Sequence, residues 1–173
     1  IVVGEQGTGK STATRLALRK LTGAVYFLVG NDLSSFTDDL AKAVGFRTSL
    51  ATYTKFYFGL SGPKMELSSI SKAIWAQMKN KLLEVAVMYH ERYGRPIVLV
   101  LDAISFVAKL DPVLFRDLQE FARDAANRGF LRLVFVATEG AALPLFEQNH
   151  GAMTRANVYE VSDLPDLLAV EFL

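Results

Sequence analysis

Cysteine is missing altogether from the 173 residues, which removes a disulfide scaffold, a thiolate metal site and a cysteine nucleophile together. Its absence fits a reducing compartment. Histidine is nearly as scarce: His90 and His150 are the two present, far apart in sequence, and each reads as a surface or helix-end side chain and not as a metal ligand. An excess of one charge is lacking as well. Against 18 Asp+Glu stand 19 Lys+Arg, a formal net charge of +1, so there is no basic footprint for a phosphodiester backbone. Uncharged stretches such as 21–31 fall well short of the roughly 18 residues that a membrane-spanning helix needs. What the chain does have is 51% hydrophobic and 21% charged residues, the make-up of one packed globular domain and not of a disordered segment.

Apolar runs of strand length alternate with stretches of helical period. Ile1 to Val3 reads as the end of a buried strand. A helix to about Thr22 follows the next loop, with Ala13, Leu16, Ala17 and Leu21 at helical spacing, Arg15 and Arg19 on another face, and Gly23 as its stop. Ala24 to Gly30 predicts a second strand, and Ser34 is placed to cap a short helix that turns Phe36, Leu40 and Val44 inward. From Phe46 to Lys64 aromatic residues and glycine breakers predict a loop or small hairpin packed over the sheet edge, with a partner surface as the alternative. Leu67, Ile70, Ile74, Met78, Leu82, Val85 and Tyr89 then step by three and four through a long helix ending near Gly94, with Trp75 in the core.

Ile97 to Leu101 is five consecutive aliphatic residues closed by Asp102, a pattern that only a strand covered on both faces needs. A helix from Pro112 to Asn127, a strand from Leu131 to Thr138, a short helix over Leu143 to Phe146, an irregular stretch from Asn149 to Thr154, a strand from Asn157 to Val161 and a helix after Pro165 complete the pattern. Such alternation predicts a parallel α/β sheet in a single domain spanning 1–173. The opening Ile1-Val2-Val3, without a methionine or a signal-peptide pattern, leads to the expectation of a domain cut from a longer protein.

The run Gly4-Glu5-Gln6-Gly7-Thr8-Gly9-Lys10-Ser11-Thr12 carries the chemistry. Its glycines let successive backbone N–H groups face one phosphate, and the dipole of the following helix adds to that field. In the same pattern Lys10 reaches the β and γ phosphates and the Ser11 hydroxyl can ligate Mg2+. A dinucleotide fingerprint would require a third glycine where Thr12 stands. A simple strand-to-helix turn would need neither the lysine nor the two hydroxyls. A second carboxylate is required to support the magnesium shell, and Asp102 at the end of the most apolar strand is positioned to supply it.

Together Gly4 to Ser11 and Ile97 to Asp102 resemble the Walker A and Walker B motifs of the P-loop NTPases, a similarity that covers nearly the whole chain. The order of elements resembles the branch with an additional strand between the P-loop strand and the Walker B strand, to which the STAND and AAA+ ATPases belong. That resemblance implies a three-layer α/β/α sandwich with a mainly parallel five-stranded sheet in the order 5-1-4-3-2, Leu131 to Thr138 being the inserted strand. It further implies a γ-phosphate sensor at Thr138 or Glu139, and an arginine, Arg155, that reaches a neighbouring subunit's nucleotide. Arg95-Pro96, the Glu139-Gly140 pair and Arg155 leading into Val161 to Leu164 are similar to archaeal-type STAND ATPases and to the NTPase domain of Crinkler-like effectors.

One residue departs from the pattern. The branch places a glutamate directly after the Walker B aspartate, where this chain has Ala103, and a methyl group cannot take a proton from water. Glu139 is the first substitute base and Asp32 the second. The expected function is a Mg2+-dependent ATP-binding and ATP-hydrolysing domain that acts as a nucleotide-controlled switch. The rivals are a scaffold that holds nucleotide without hydrolysis and a small-molecule kinase. ATP over GTP follows from the resemblance and from the lack of an Asn/Thr-Lys-x-Asp guanine signature. Expected partners are ATP, further domains of a longer chain and other copies of the chain through Arg155, with neither membrane nor nucleic acid. The expected location is the cytoplasm, or a host cell after secretion if the Crinkler-like resemblance holds.

Overall fold

The computed structural model describes residues 1–46, 67–138, 144, 146, 153 and 156–162. Five strands, β1 (Val2–Val3), β2 (Ala24–Leu28), β3 (Ile97–Asp102), β4 (Leu131–Val136) and β5 (Tyr159–Glu160), form one sheet in the order β2-β3-β4-β1-β5. Every pairing is parallel. This is the expected order 5-1-4-3-2 read from the opposite edge. The helices are α1 (Lys10–Leu18), α2 (Phe36–Ala43), α3 (Leu67–Tyr93), α4 (Ser105–Leu110) and α5 (Pro112–Arg128).

Burial of both faces explains why β3 is continuously apolar, since alternate residues of a strand point to opposite sides. Leu99 and Leu101 join Phe27 of β2 and Phe135 of β4 on one face, where Phe36, Met78, Leu118, Phe121 and Phe146 complete the main core. Each such large apolar side chain contributes about 1.5–3 kcal/mol on full burial. The other face carries Tyr26, Val100, Asp102 and Val136, with α1 beside it. Val100 and Val136 are each 1% exposed.

Several sequence expectations shift by a residue or more. In α1 the apolar positions do not form the packing stripe: Leu16 and Leu21 are about half exposed, Ala13 and Ala17 are exposed, and Ser11, Thr14 and Leu18 are the partly buried side chains. Ser11, Thr14, Arg15 and Leu18 fall at i, i+3, i+4 and i+7. The Arg15 contact with Tyr26 turns that stripe toward the sheet, which leaves Leu16 on the far side. Ahead of α2, Asp32 and not Ser34 is the capping side chain, while Ser35 at the helix start makes no side-chain cap bond. Its carboxylate accepts the Ser34 N–H at 2.8 Å over a short turn, Leu33–Ser35, that precedes the helix.

In α3 the buried set includes Ile74, Trp75, Met78 and Ala86, while Val85 faces solvent. The six-residue α4 has no counterpart in the sequence reading, because Asp111 ends it and at once caps α5 by accepting the Leu114 N–H at 2.9 Å. Pro144 and Phe146 are helical. The predicted loop to Lys64 beyond Phe46, the rest of the Leu143 helix, most of Asn149 to Thr154 and the helix after Pro165 lie outside the described residues.

One polar cluster ties α3 to α5. Trp75 stacks edge-on against Phe121 with centroids 5.8 Å apart, and its indole N–H donates to Asp117 Oδ2. Lys79 donates to both oxygens of the same carboxylate at 2.8 Å. Replacing Asp117 by Ala strands the indole donor of a nearly buried tryptophan and should cost about 1–3 kcal/mol. Lys79→Ala, which removes a partly exposed cation, should cost about 1 kcal/mol or less. Urea denaturation followed by the fluorescence of the single Trp75 reports both, and equal losses from the two substitutions would contradict this account.

Candidate nucleotide-binding site

The turn from β1 into α1 is built on two glycine requirements. Val161 donates its N–H to the Val3 carbonyl at 2.8 Å, so the backbone after β5 runs directly beside Gly4. A β-carbon at Gly4 would stand 2.2 Å from the Val161 carbonyl oxygen, and no side chain fits there. Gly9 is the residue before α1 and has φ 84°, the left-handed conformation that turns the chain into the helix. The first four helical N–H groups have no partner within a helix and carry the positive end of its dipole.

Lys10 is 8% exposed because its chain folds back over the loop. Its ammonium donates to the carbonyl oxygens of Gly4, at 2.8 Å, and Glu5, and lies 3.4 Å from the Thr8 hydroxyl. The Thr8 hydroxyl itself donates to Glu5 at 3.0 Å. The side chains of Glu5, Gln6 and Thr12 are exposed, and Ser11 is half-buried at the first turn of α1.

Asp102 ends β3 with only 3% of its surface exposed. Its Oδ1 accepts the Ala103 N–H at 2.7 Å, and its Oδ2 accepts the Tyr26 hydroxyl. Arg15 of α1 lies over the Tyr26 ring, 4.7 Å from its centroid. Partial burial and, after it, the bond to Asp102 push the Tyr26 phenol above its ordinary pKa, partly offset by Arg15. Tyr26 therefore remains a hydrogen-bond donor throughout the neutral range. Ala103 follows with φ 60°, a left-handed conformation that is costly for a residue with a β-carbon.

The strand register brings these parts to one edge of the sheet. Val136 pairs with Val2 on one side and with Asp102 on the other. Thr138, two residues beyond Val136, is thereby placed at the level of Gly4, between the P-loop strand and the Asp102 strand. Its side chain is exposed, and its backbone N–H is held by the Ser105 hydroxyl at 3.0 Å. The Ile104 N–H also bonds to the Val136 carbonyl at 3.1 Å, tying the turn after β3 to the end of β4. Glu139 and Arg155 lie outside the described residues. Asp32 is committed to its turn: the hydrogen bonds from Ser34 hold its carboxyl below the usual range, which makes it a weaker base.

Tyr26, Arg15 and Ser105 escaped the sequence reading. Tyr26 carries no local signal: only the pairing of Leu28 with Asp102 in the folded sheet puts it, two residues earlier, on the face of the aspartate. Among the described residues no group of three His, Cys, Asp or Glu side chains could hold a metal ion. The Asp102 carboxylate and the Ser11 hydroxyl are oxygen donors of the kind that fits Mg2+, which keeps several waters and is held by one or two carboxylates together with substrate phosphates. A cleft of about 400 Å³ lies elsewhere, lined by α5, β4 and Ile1, and shares no residue with the P-loop or Asp102.

No protein-family model matches the chain, and no curated protein matches it. Solved structures do. Over 92% of this chain the fold matches the crystal structure of Cdc6p from Pyrobaculum aerophilum, with a TM-score of 0.53 and 17% identity. Over 99% it matches the Walker-type ATPase of Pyrococcus abyssi, with a TM-score of 0.54 and 14% identity. The chain spans 38% of the first protein and 50% of the second. At such identity the likeness concerns the fold, which is that of the P-loop α/β proteins. Among the described residues no helix is long and apolar enough to cross a membrane.

Two glycine positions of the loop, Gly4 and Gly7, should respond differently to alanine. Gly7 has φ 97° but nothing within 4 Å of its would-be β-carbon, so Gly7→Ala should cost about 1 kcal/mol of backbone strain. Gly4→Ala adds a collision with the Val161 carbonyl and should lower the melting temperature clearly more. Thermal melts of both variants, scanned side by side, check the order.

Proposed function

We propose that this chain is a Mg2+-dependent ATP-binding domain whose nucleotide state controls the conformation of a larger protein. The observation that supports it most is the register Val2–Val136–Asp102, which sets a glycine-rich loop and a buried carboxylate at the carboxyl edge of one parallel sheet. Ligands of open α/β sheets bind at that edge. In this reading Gly4 to Thr12 wrap the phosphates, and Lys10 exchanges its contacts with the Gly4 and Glu5 carbonyls for phosphate oxygens. Ser11 and Asp102 would hold Mg2+, which neutralises charge on the phosphates when bound. Thr138, held in place by Ser105, senses the γ-phosphate. Arg155 is assigned to a nucleotide on a neighbouring copy, and the match to only part of each solved neighbour accords with additional domains.

Glu139 is proposed as the base that prepares water for attack. Ala103 favours one other reading, a scaffold that keeps ATP intact, because the position after Asp102 presents a methyl group and its N–H is committed to the aspartate. Calorimetric titration with ATP, with and without Mg2+, tests the binding. Saturable binding is expected, strengthened by Mg2+, and Lys10→Ala should weaken it by roughly 10- to 100-fold, the loss of charge-assisted hydrogen bonds. A folded chain that does not bind ATP would refute the proposal. Phosphate release that disappears in Glu139→Gln selects the ATPase, whereas stable binding without release selects the scaffold.

A further inference from the structure

Both residues that would support Mg2+ sit on different elements, Ser11 on α1 and Asp102 on β3, and those elements are not neighbours in sequence. One side chain on β2 links them. Tyr26 shares a sheet face with Asp102, because Tyr26 pairs with Val100 and Leu28 with Asp102 and alternate residues face the same side. Its hydroxyl donates to Asp102 Oδ2. The opposite oxygen, Oδ1, accepts the Ala103 N–H at 2.7 Å. Two donors, one on each oxygen, set the rotation of the carboxylate, and each oxygen keeps a second lone pair for a further donor such as a metal-bound water.

The ring of Tyr26 has a neighbour of its own. Arg15 stands four residues after Ser11, on the same side of α1, with its guanidinium 4.7 Å from the ring centroid. A planar cation over an aromatic face is attracted to it. The line Ser11–Arg15–Tyr26–Asp102 therefore joins the two metal-supporting positions through α1, β2 and β3.

We propose that Tyr26, clamped by Arg15, is a positioning residue that presents the Asp102 carboxylate to Mg2+ in register with Ser11. The inference rests on the Mg2+-ATP reading above. It assigns Tyr26 no contact with nucleotide, so its effect appears in the gain that Mg2+ confers and not in binding without metal.

Calorimetric ATP titrations in EDTA and in Mg2+ measure that gain as the ratio of the two dissociation constants. Tyr26→Phe keeps the ring and the Arg15 contact and deletes the hydroxyl. It should bind ATP as wild type does in EDTA and lose roughly 3- to 10-fold of the gain in Mg2+, less than the full worth of a hydrogen bond to a charged group because the Ala103 N–H still holds Oδ1. Asp102→Asn should lose most of the gain, and adding Tyr26→Phe to it should change nothing more, because Tyr26 acts through Asp102. Should Tyr26→Phe melt early, Arg15→Lys carries the same test with the phenol in place, since a lysine cannot stack as the flat guanidinium does.

An unchanged gain in Tyr26→Phe overturns the inference and leaves the Mg2+-ATP reading standing. A larger gain also overturns it, by showing that the phenol competes for the carboxylate. Additive losses in the double variant would mean that Tyr26 acts independently of Asp102. Wild type that binds ATP without any gain from Mg2+, or fails to bind, overturns the reading and the inference with it.

Discussion

The central constraint is that β3 must be buried on both faces. A strand in that position cannot afford a polar side chain until it reaches the sheet edge, and Asp102 is where the apolar run stops. It is buried all the same, at 3% exposure, so its charge depends on donors brought by the surrounding chain. The Ala103 N–H and the Tyr26 hydroxyl supply them. The rest of the carboxyl edge is arranged by the same register: β4 lies between β1 and β3, so the P-loop and Asp102 face one another across a single strand end.

The two layers around the sheet have different work. The face with Phe27, Leu99, Leu101 and Phe135 is a thick hydrophobic core under α2, α3 and α5, and it supplies much of the apolar burial. The face toward α1 is thinner and more polar, with Lys10, Arg15, Tyr26 and Asp102 on it or at its margin. A buried lysine and a buried aspartate on one side of a sheet are expensive unless each is hydrogen-bonded. Lys10 meets that condition through the loop carbonyls, and Asp102 through Tyr26 and Ala103. Polar groups held in this way remain available to exchange partners, which a packed leucine would not be.

Much of the carboxyl edge of the sheet is legible in the sequence. The glycine spacing of the loop and the five aliphatic residues before Asp102 each have a local physical cause, a tight strand-to-helix turn in one case and double-sided burial in the other. The strand β3 and the helix α5 were readable to within a residue, because β-branched residues, Asp111, Pro112 and Gly129 act over a few positions. The orientation of α1 was not readable. Its apolar residues suggest one packing face, but Arg15 against Tyr26 and the demands of the loop rotate the helix so that Leu16 faces outward. Nor was α4, since a helix of six residues is too short to show a helical period.

What the sequence by itself determined is therefore whatever depends on near neighbours along the chain: the glycine-rich loop, the alternation of strands and helices and the end of β3. The tertiary structure decided which of these meet. Only strand order and register place Thr138 beside the loop, set Tyr26 diagonally behind Asp102 and bring Arg15 over its ring. The two side-chain contacts of Tyr26 join residues 11 and 76 positions apart, separations at which local pattern carries no information and packing alone selects the partner.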